Sequence, residues 1–181
     1  MITIDTFQTI SVARPFERSY WVIPTRLLAG EYPGSLLMQE AHEKISALLN
    51  LGIDTFIDLT LADHLDPYTP ILKSLADRMG KKVEYLKMGF RDQSVPSRRD
   101  MIRILDAIEK AIDEGHNVYV HCWGGIGRTG TVVGCYLARH GVTGEAALLE
   151  IEQMRVVVPS SRPSPETNEQ RKMVFNWPVN Q

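Results

Sequence analysis

The segment from residue 118 to residue 139 constrains the fold more than any other part of the sequence. An apolar stretch, VYVH, leads into the glycine-rich sequence CWGGIG at residues 122–127, and apolar residues then recur with a helical period over 128–139. A buried strand that passes through glycines into a helix is a building unit of α/β proteins. Because such proteins bind ligands beyond the carboxyl ends of their strands, we expect this turn to lie at a binding edge.

Strand-like and helix-like patterns alternate along the rest of the chain. Strands are predicted within residues 21–33, as one or two short segments, and at 53–60, 82–88 and 117–121. Helices are predicted at 41–51, 67–79, 97–114, 128–139, 144–155 and 166–176, the second capped by Asp66 and Gly80. This alternation predicts an α/β fold with a single, mainly parallel central sheet of about 4–5 strands flanked by helices. A chain of 181 residues is expected to form one domain.

Charge and composition argue against several classes of function. The net charge is −2 and the lysines and arginines are dispersed, so no nucleic-acid partner is expected. The two cysteines form neither a disulfide framework nor a zinc-ligand spacing, which predicts reduced thiols, no metal site and no cofactor. The sequence shows no signal-peptide pattern and no apolar run of about 18 residues, so we expect a soluble, cytoplasmic protein without a membrane partner. Composition leaves the oligomeric state open.

The glycine-rich turn has the composition of an anion cradle. Four glycines between residues 124 and 130 allow the backbone to turn tightly with its N–H groups facing inward, and the following helix adds its positive N-terminal end. Arg128 is expected to hold two oxygens of a dianion with its planar guanidinium group. The same positive field favours the thiolate form of Cys122, so the sequence predicts a nucleophile beside a bound oxyanion.

Other interpretations of this turn fit less well. An ordinary strand-to-helix turn with an inert, buried Cys122 does not require His121 and Arg128 at their positions. A nucleotide-binding loop needs a Gly-x4-Gly-Lys-Ser/Thr pattern, which is absent. In a dinucleotide-binding Gly-x-Gly-x2-Gly turn, Arg128 would occupy a crowded position.

The sequence VHCWGGIGRTG, residues 120–130, resembles the His-Cys-x5-Arg-Ser/Thr motif of cysteine-dependent protein tyrosine and dual-specificity phosphatases. The resemblance is strongest over residues 118–141 and extends, by the order of strands and helices, over roughly residues 20–177. It implies that residues 1–181 form a single phosphatase domain with its core at about 20–177.

The resemblance implies a role for each residue of the motif. Cys122 is expected to attack phosphorus and form a cysteinyl-phosphate, Thr129 to help the thiolate leave, and His121 to orient the loop rather than act as a base. The phosphate oxygens are expected to bind the Arg128 side chain and the main-chain amides of the loop. The residues of this phosphate-binding loop are Trp123, Gly124, Gly125, Ile126, Gly127 and Arg128.

Members of this family use an aspartate on a separate loop as the general acid. Asp92, in the sequence FRDQSVPS, is the best candidate because its loop follows a predicted strand and has a proline close behind. Asp63 and Asp66 follow a different strand, and Asp100 falls in the first turn of a helix, where a carboxylate favours the helix dipole. Gln170 resembles the glutamine that positions water in tyrosine-specific phosphatases, with an exposed, solvated glutamine as the alternative.

The loop also bears on the substrate class. Residues 123–127 carry no charge, whereas phosphoinositide-selective members of the superfamily typically carry lysines there, so inositol lipids are disfavoured. The predicted partner is a phosphorylated protein, with phosphotyrosine included and phosphoserine and phosphothreonine left open. Two alternatives remain: a phosphate-binding module with weak catalysis and, less favoured, a rhodanese-like sulfurtransferase.

The remaining cysteine and histidines are expected to be structural. Cys135 is predicted to pack in the core, and a disulfide with Cys122 that protects the nucleophile is the less favoured alternative. The other histidines are predicted at the surface: His42, His64, His116 and His140.

Overall fold

Five strands form one mixed sheet in the computed structural model, which describes residues 13–61 and 67–181. The strands are β1 (Ser19–Ile23), β2 (Leu27–Gly30), β3 (Thr55–Asp58), β4 (Glu84–Lys87) and β5 (Val118–His121). Their order in the sheet is β1-β2-β5-β3-β4, and only β1 and β2 pair antiparallel. The predicted α/β class, with a mainly parallel sheet of about 4–5 strands, is confirmed.

Helices cover both faces of the sheet. They are α1 (Met38–Asn50), α2 (Thr69–Arg78), α3 (Arg98–Asp113), α4 (Gly127–Arg139), α5 (Glu145–Met154) and α6 (Asn168–Phe175), with a 3₁₀ turn at Arg155–Val157. Helix α2 begins at Thr69 rather than Pro67, because Tyr68 is its N-cap and Pro70, which has no N–H to satisfy, lies in its first turn. Asp66, the predicted cap, lies outside the described residues. None of the helices in the two described ranges has the length and apolar character to cross a bilayer.

The sheet separates two apolar cores, and successive residues of its strands point alternately into one core and the other. Helices α1 and α2 enclose the core that contains Tyr119, and α3, α4, α5 and α6 enclose the core that contains Val120. Successive residues of a strand point to opposite faces, so His121 lies on the α1–α2 side while Cys122 joins the other core. The histidine and the cysteine of the motif therefore face different layers of the protein.

The carboxyl ends of four neighbouring parallel strands, β2, β5, β3 and β4, meet at one edge of the sheet. His121 at the end of β5 is in register with Asp58 at the end of β3, and Asp58 is in register with Lys87 at the end of β4. The loops that open at this edge include residues 31–37 after β2, 88–97 (the Asp92 loop) and 122–126 (the Cys122 loop), and the loop after β3, of which residues 59–61 are the described start. The two polar loops predicted from the sequence thus leave the sheet side by side.

Candidate active site

The backbone of the Cys122 loop requires glycine at one position. Gly125 has a φ of +65°, a left-handed value, and a Cβ there would lie 2.4 Å from the carbonyl carbon of Gly30 at the end of β2. Gly130 in the first turns of α4 has no room for a side chain either, because a Cβ would lie 2.2 Å from the Ser164 Oγ. The loop therefore holds its shape by close packing against β2 and against residues 164–165.

Three carbonyl groups of the loop are hydrogen-bonded to groups outside it. They are Trp123 O with Tyr32 N at 2.9 Å, Gly125 O with Arg155 Nη1 at 2.6 Å, and Ile126 O with Ser164 Oγ at 2.8 Å. A trans peptide places each C=O opposite the next N–H, so the amides of Gly124, Ile126 and Gly127 face the other side of the loop. This is the arrangement that an amide cradle for an anion requires. Sequence reasoning missed Arg155 and Ser164, which are distant along the chain and carry no local signal.

The guanidinium group of Arg128 is held in place by the two neighbouring loops. Nη1 donates to the carbonyls of Leu59 (3.2 Å) and Phe90 (3.3 Å), and Nη2 forms an ion pair with Asp92 Oδ1 at 3.0 Å. The residue is 5% exposed, and its buried Nε has no hydrogen-bond partner among the described residues. The group is therefore fixed in orientation with a donor still available for an oxyanion.

Of the four aspartates considered as general acid, Asp92 lies against the Cys122 site. Its side chain is 68% exposed, so the ion pair with the guanidinium is its main anchor to the protein. Asp100 instead lies in the first turn of α3, where it accepts a hydrogen bond from the Oγ of the N-cap Ser97 at 2.6 Å and donates its own N–H to that oxygen. Asp63 and Asp66 lie outside the described residues.

Cys122 and Thr129 occupy the floor of the site. Cys122 is 3% exposed and packs in the apolar core beneath the loop. The Thr129 hydroxyl, in the first turn of α4, is buried and has no hydrogen-bond partner among the described residues. It therefore remains available to donate a hydrogen bond to an anion at the start of the helix.

His121 is fixed by two hydrogen bonds below the loop. Its Nδ1 lies 3.3 Å from the carbonyl of Cys122 and its Nε2 lies 2.8 Å from the Tyr68 hydroxyl. A carbonyl only accepts, so Nδ1 carries the proton and Nε2 accepts the hydrogen bond from Tyr68. The neutral ring thus ties the Cys122 carbonyl to the α2 side of the sheet, which is consistent with the predicted orienting role.

A buried carboxylate beside His121 was missed by the sequence analysis. Asp58 accepts hydrogen bonds from Thr60 N and Oγ1, Tyr85 OH and Lys87 Nζ at 2.7–2.9 Å. The bonds to Thr60 close a tight turn around Leu59, whose carbonyl holds Arg128. The available signal was a carboxylate that ends an apolar strand, in the sequence TFIDLT.

The pKa values of His121 and Asp58 are both lowered, for different reasons. Burial lowers the pKa of His121 from 6.5 to about 4. Burial alone would raise the pKa of Asp58, but the positive charge of a protonated His121 and hydrogen bonds from Lys87 and Thr60 lower it overall. At neutral pH His121 is uncharged, so Lys87 and Thr60 stabilise the carboxylate.

We predict that acid destabilises the fold through His121. Between pH 6.5 and pH 4 this histidine takes up a proton in the unfolded chain but not in the folded protein. The free energy of unfolding therefore falls as the pH falls, by about 3 kcal/mol in total. Urea unfolding at several pH values in this range measures the slope. His121→Asn should flatten it; equal slopes in the variant and the wild type would contradict the prediction.

Gln170 is buried rather than solvated. Its Oε1 accepts from the N–H groups of Glu166 and Thr167, both at 3.1 Å, and its Nε2 donates to the carbonyl of Ser94 at 3.1 Å. The Thr167 Oγ1 in turn accepts from the Gln170 N–H, which completes a capping box at the start of α6. The side chain therefore joins α6 to the Asp92 loop, and the alternative of an exposed glutamine is wrong.

Trp123 forms part of the rim of the site. Its side chain is 57% exposed and lies against Tyr32, with 5.8 Å between the ring centroids. The two rings line a groove of about 310 Å³ together with Leu36 and Lys44. The groove borders the Cys122 loop at Trp123 and Gly124.

Cys135, His116 and His140 take no part in the Cys122 loop. Cys135 is a free thiol buried in the core, and burial raises its pKa well above the usual range. The side chains of His116 and His140 are each 47% exposed, and His64 lies outside the described residues. Over residues 13–61 and 67–181 no cluster of His, Cys, Asp or Glu has the composition of a metal site.

Residues 16–174 match the family model PTP-SAK, the "Swiss Army Knife protein, DSP-PTPase phosphatase domain". Among curated proteins, the chain is 45% identical over 125 residues to the dual specificity protein phosphatase CDC14C of Homo sapiens, a match that covers 66% of this chain and 26% of that protein. It is 28% identical over 153 residues to the protein tyrosine phosphatase domain-containing protein 1 of Mus musculus, covering 81% of this chain and 19% of the relative. The chain thus spans about a fifth to a quarter of these relatives.

The fold has close counterparts among solved structures. The crystal structure of Tk-PTP in the active form superimposes with a TM-score of 0.67 at 22% identity, over 87% of this chain and 93% of that one. At this identity the superposition shows a shared fold only. Family membership is shown by the family model, which matches most of the chain. The chain therefore belongs to the cysteine-dependent protein tyrosine and dual-specificity phosphatase superfamily, as a DSP-type phosphatase domain.

Proposed function

We propose that the protein hydrolyses phosphomonoesters on proteins through a cysteinyl-phosphate intermediate. The observation that carries the proposal is the ion pair of 3.0 Å between Arg128 and Asp92 directly beside the loop of the buried Cys122. It brings an anion-binding group and a proton donor to one nucleophile. The carbonyl groups of the loop that point outward support the proposal further, because the N–H groups of the same peptides then face the phosphate oxygens.

In the first step the substrate phosphate replaces the Asp92 carboxylate at the guanidinium group of Arg128, and the released carboxylate takes up a proton from solvent. The Cys122 thiolate then attacks phosphorus, and the bond from phosphorus to the ester oxygen breaks with its electron pair on oxygen. The protonated side chain of Asp92 donates its proton to that oxygen, so a neutral alcohol or phenol leaves. Arg128 and the loop amides stabilise the charge on the phosphoryl oxygens throughout.

In the second step water hydrolyses the cysteinyl-phosphate. Asp92, now a carboxylate, accepts a proton from the water whose oxygen attacks phosphorus. The sulfur–phosphorus bond breaks, its electron pair returns to sulfur, and the Thr129 hydroxyl donates a hydrogen bond to the thiolate. Inorganic phosphate leaves, and Asp92 is again protonated for the next cycle.

Phosphotyrosine proteins are the proposed substrate class, with phosphoserine and phosphothreonine proteins as further candidates. The uncharged residues 123–127 offer no cation to the additional phosphates of an inositol lipid. The exposed Trp123, which lies against Tyr32, offers aromatic surface to a peptide beside the phosphorylated residue, and two cations that line the same groove, Arg18 and Lys44, are paired with Glu31 at 3.6 and 2.6 Å. Turnover of phosphoinositides that exceeds turnover of phosphopeptides would contradict this substrate class.

The experiment is a comparison of the reduced wild type with Asp92→Asn on a tyrosine phosphopeptide and on p-nitrophenyl phosphate. Loss of the proton donor should lower kcat on the phosphopeptide by roughly 10²- to 10³-fold. The effect on p-nitrophenyl phosphate should be smaller, because nitrophenolate leaves without a proton. Asp100→Asn, which removes a carboxylate charge from the first turn of α3 and leaves the Ser97 cap in place, should retain turnover.

Two outcomes would overturn the proposal. A wild type that binds phosphopeptides without turnover between about pH 5 and 7 would indicate a phosphate-binding module. Full activity in Asp92→Asn would remove Asp92 from the acid role.

A further inference from the structure

We propose that Gln170 is a positioning residue that holds the Asp92 loop over the site. The proposal rests on the function proposed above, because it assigns Gln170 to the placement of the general acid. The orientation of its amide follows from its partners: two backbone N–H groups require the oxygen, and the Ser94 carbonyl requires the nitrogen. The side chain is fully buried, so these three bonds have no competition from solvent.

The amide of Gln170 joins three segments of the site. A Cβ at Gly127, the first residue of α4, would lie 3.0 Å from its Oε1 and 3.1 Å from its Nε2, so the amide packs directly on the end of the Cys122 loop. Its Oε1 belongs to the capping box of α6, and its Nε2 reaches the Asp92 loop. The Gln170 side chain therefore sets the distance between the Asp92 loop and the Cys122 loop.

Within the Asp92 loop, the Ser94 N–H (3.3 Å) and hydroxyl (2.7 Å) both donate to the Arg91 carbonyl and close a turn, but these bonds do not join the turn to the rest of the protein. Asp92 is exposed apart from its ion pair with Arg128, and Ser94 is two residues further on. Between them Gln93 has a φ of +57°, a strained value for a residue with a side chain. The loop is thus held by Arg128 on one side of the strained residue and by Gln170 on the other. When substrate phosphate displaces Asp92 from Arg128, the hydrogen bond from Gln170 to Ser94 still holds the turn. Without that hydrogen bond the turn would be free to move.

Gln170→Glu tests this role because it removes the donor to Ser94 and keeps an acceptor for the other two hydrogen bonds. A carboxylate still accepts from the N–H groups of Glu166 and Thr167, but when ionised it has no proton to donate to the Ser94 carbonyl. We expect kcat/KM to fall about 10-fold for phenyl phosphate and tyrosine phosphopeptides, and less for p-nitrophenyl phosphate. The dependence of kcat/KM on the pKa of the leaving group should steepen toward that of Asp92→Asn. Gln153→Glu, the same change on the exposed surface of α5, should match the wild type.

A role in positioning water alone predicts a different kinetic result. Water acts only after the ester bond has broken, whereas kcat/KM reports the steps up to that cleavage. A water-positioning residue would therefore leave kcat/KM unchanged across the series, lower kcat, and produce a burst of p-nitrophenol as cysteinyl-phosphate accumulates. That result would overturn the proposal.

Amide hydrogen exchange tests the anchor independently of turnover. Residues 91–95 should exchange faster in Gln170→Glu than in the wild type and in Gln153→Glu, with β5 and α3 unchanged. Equal exchange in this loop would overturn the anchor even if the enzyme is active, whereas an inactive wild type with faster exchange in the variant would refute only the proposed function. Gln170→Met, similar in size and uncharged, serves for both measurements if the buried glutamate prevents folding.

Discussion

Replacement of Cys122 by serine should abolish turnover of aryl phosphates and phosphopeptides, with a loss of roughly 10⁴-fold or more in kcat. A hydroxyl is a much weaker acid than a thiol, so the positive field of the Cys122 loop cannot convert it into an anionic nucleophile. The loop amides and Arg128 are unchanged, so the variant should still bind phosphopeptide with near wild-type affinity. Steady-state kinetics and calorimetric titration with the phosphopeptide measure the two effects.

Cys135→Ala is the matched control for the thiol chemistry. It removes the other cysteine, which lies on α4 and is buried in the apolar core of the protein. The unfolding temperature should fall while the activity is retained. Turnover in Cys122→Ser within about 10-fold of the wild type would rule out the cysteinyl-phosphate mechanism. Loss of activity in Cys135→Ala under reducing conditions, with the fold intact, would show that the second thiol takes part.

Replacement of Arg128 by lysine should lower kcat/KM by roughly 10²- to 10³-fold although the positive charge is retained. An ammonium group is a point charge and lacks the planar fork that meets two phosphate oxygens. It also cannot reach the Leu59 and Phe90 carbonyls and the Asp92 carboxylate at the same time, as the guanidinium group does. Weaker binding of the phosphate should raise KM, and poorer placement of the general acid Asp92 should lower kcat.

Arg103→Lys provides the comparison for this change. Arg103 is exposed on α3 and pairs only with Asp100 at 3.6 Å among the described residues, so the variant should keep wild-type kinetics. Thermal unfolding of both variants separates a local effect from loss of fold. Near wild-type kcat/KM in Arg128→Lys would show that charge alone suffices and that the fork geometry is not required.

Patterns within short segments predicted the fold class and the central loop. Periods of two and of about 3.6 residues identify strands and helices locally, which is why the alternating segments and the mainly parallel sheet were predictable. The Cys122 loop was equally accessible, because a nucleophile, glycines and Arg128 lie within seven residues of each other. Asp92 was predicted as well, since its loop follows β4 directly in sequence.

The contacts that hold the site in shape join residues far apart in the chain, and these only the tertiary structure decided. Arg155 reaches the Gly125 carbonyl, Gln170 reaches Ser94, and Asp58 lies beside His121 because β3 and β5 are neighbours in the sheet. The periodicity of a segment records which face is buried but not which segment it meets, because strand order depends on how all the helices pack on both faces at once. The sequence therefore determined the chemical groups and their local geometry, and the packing of the whole domain decided what holds them in place.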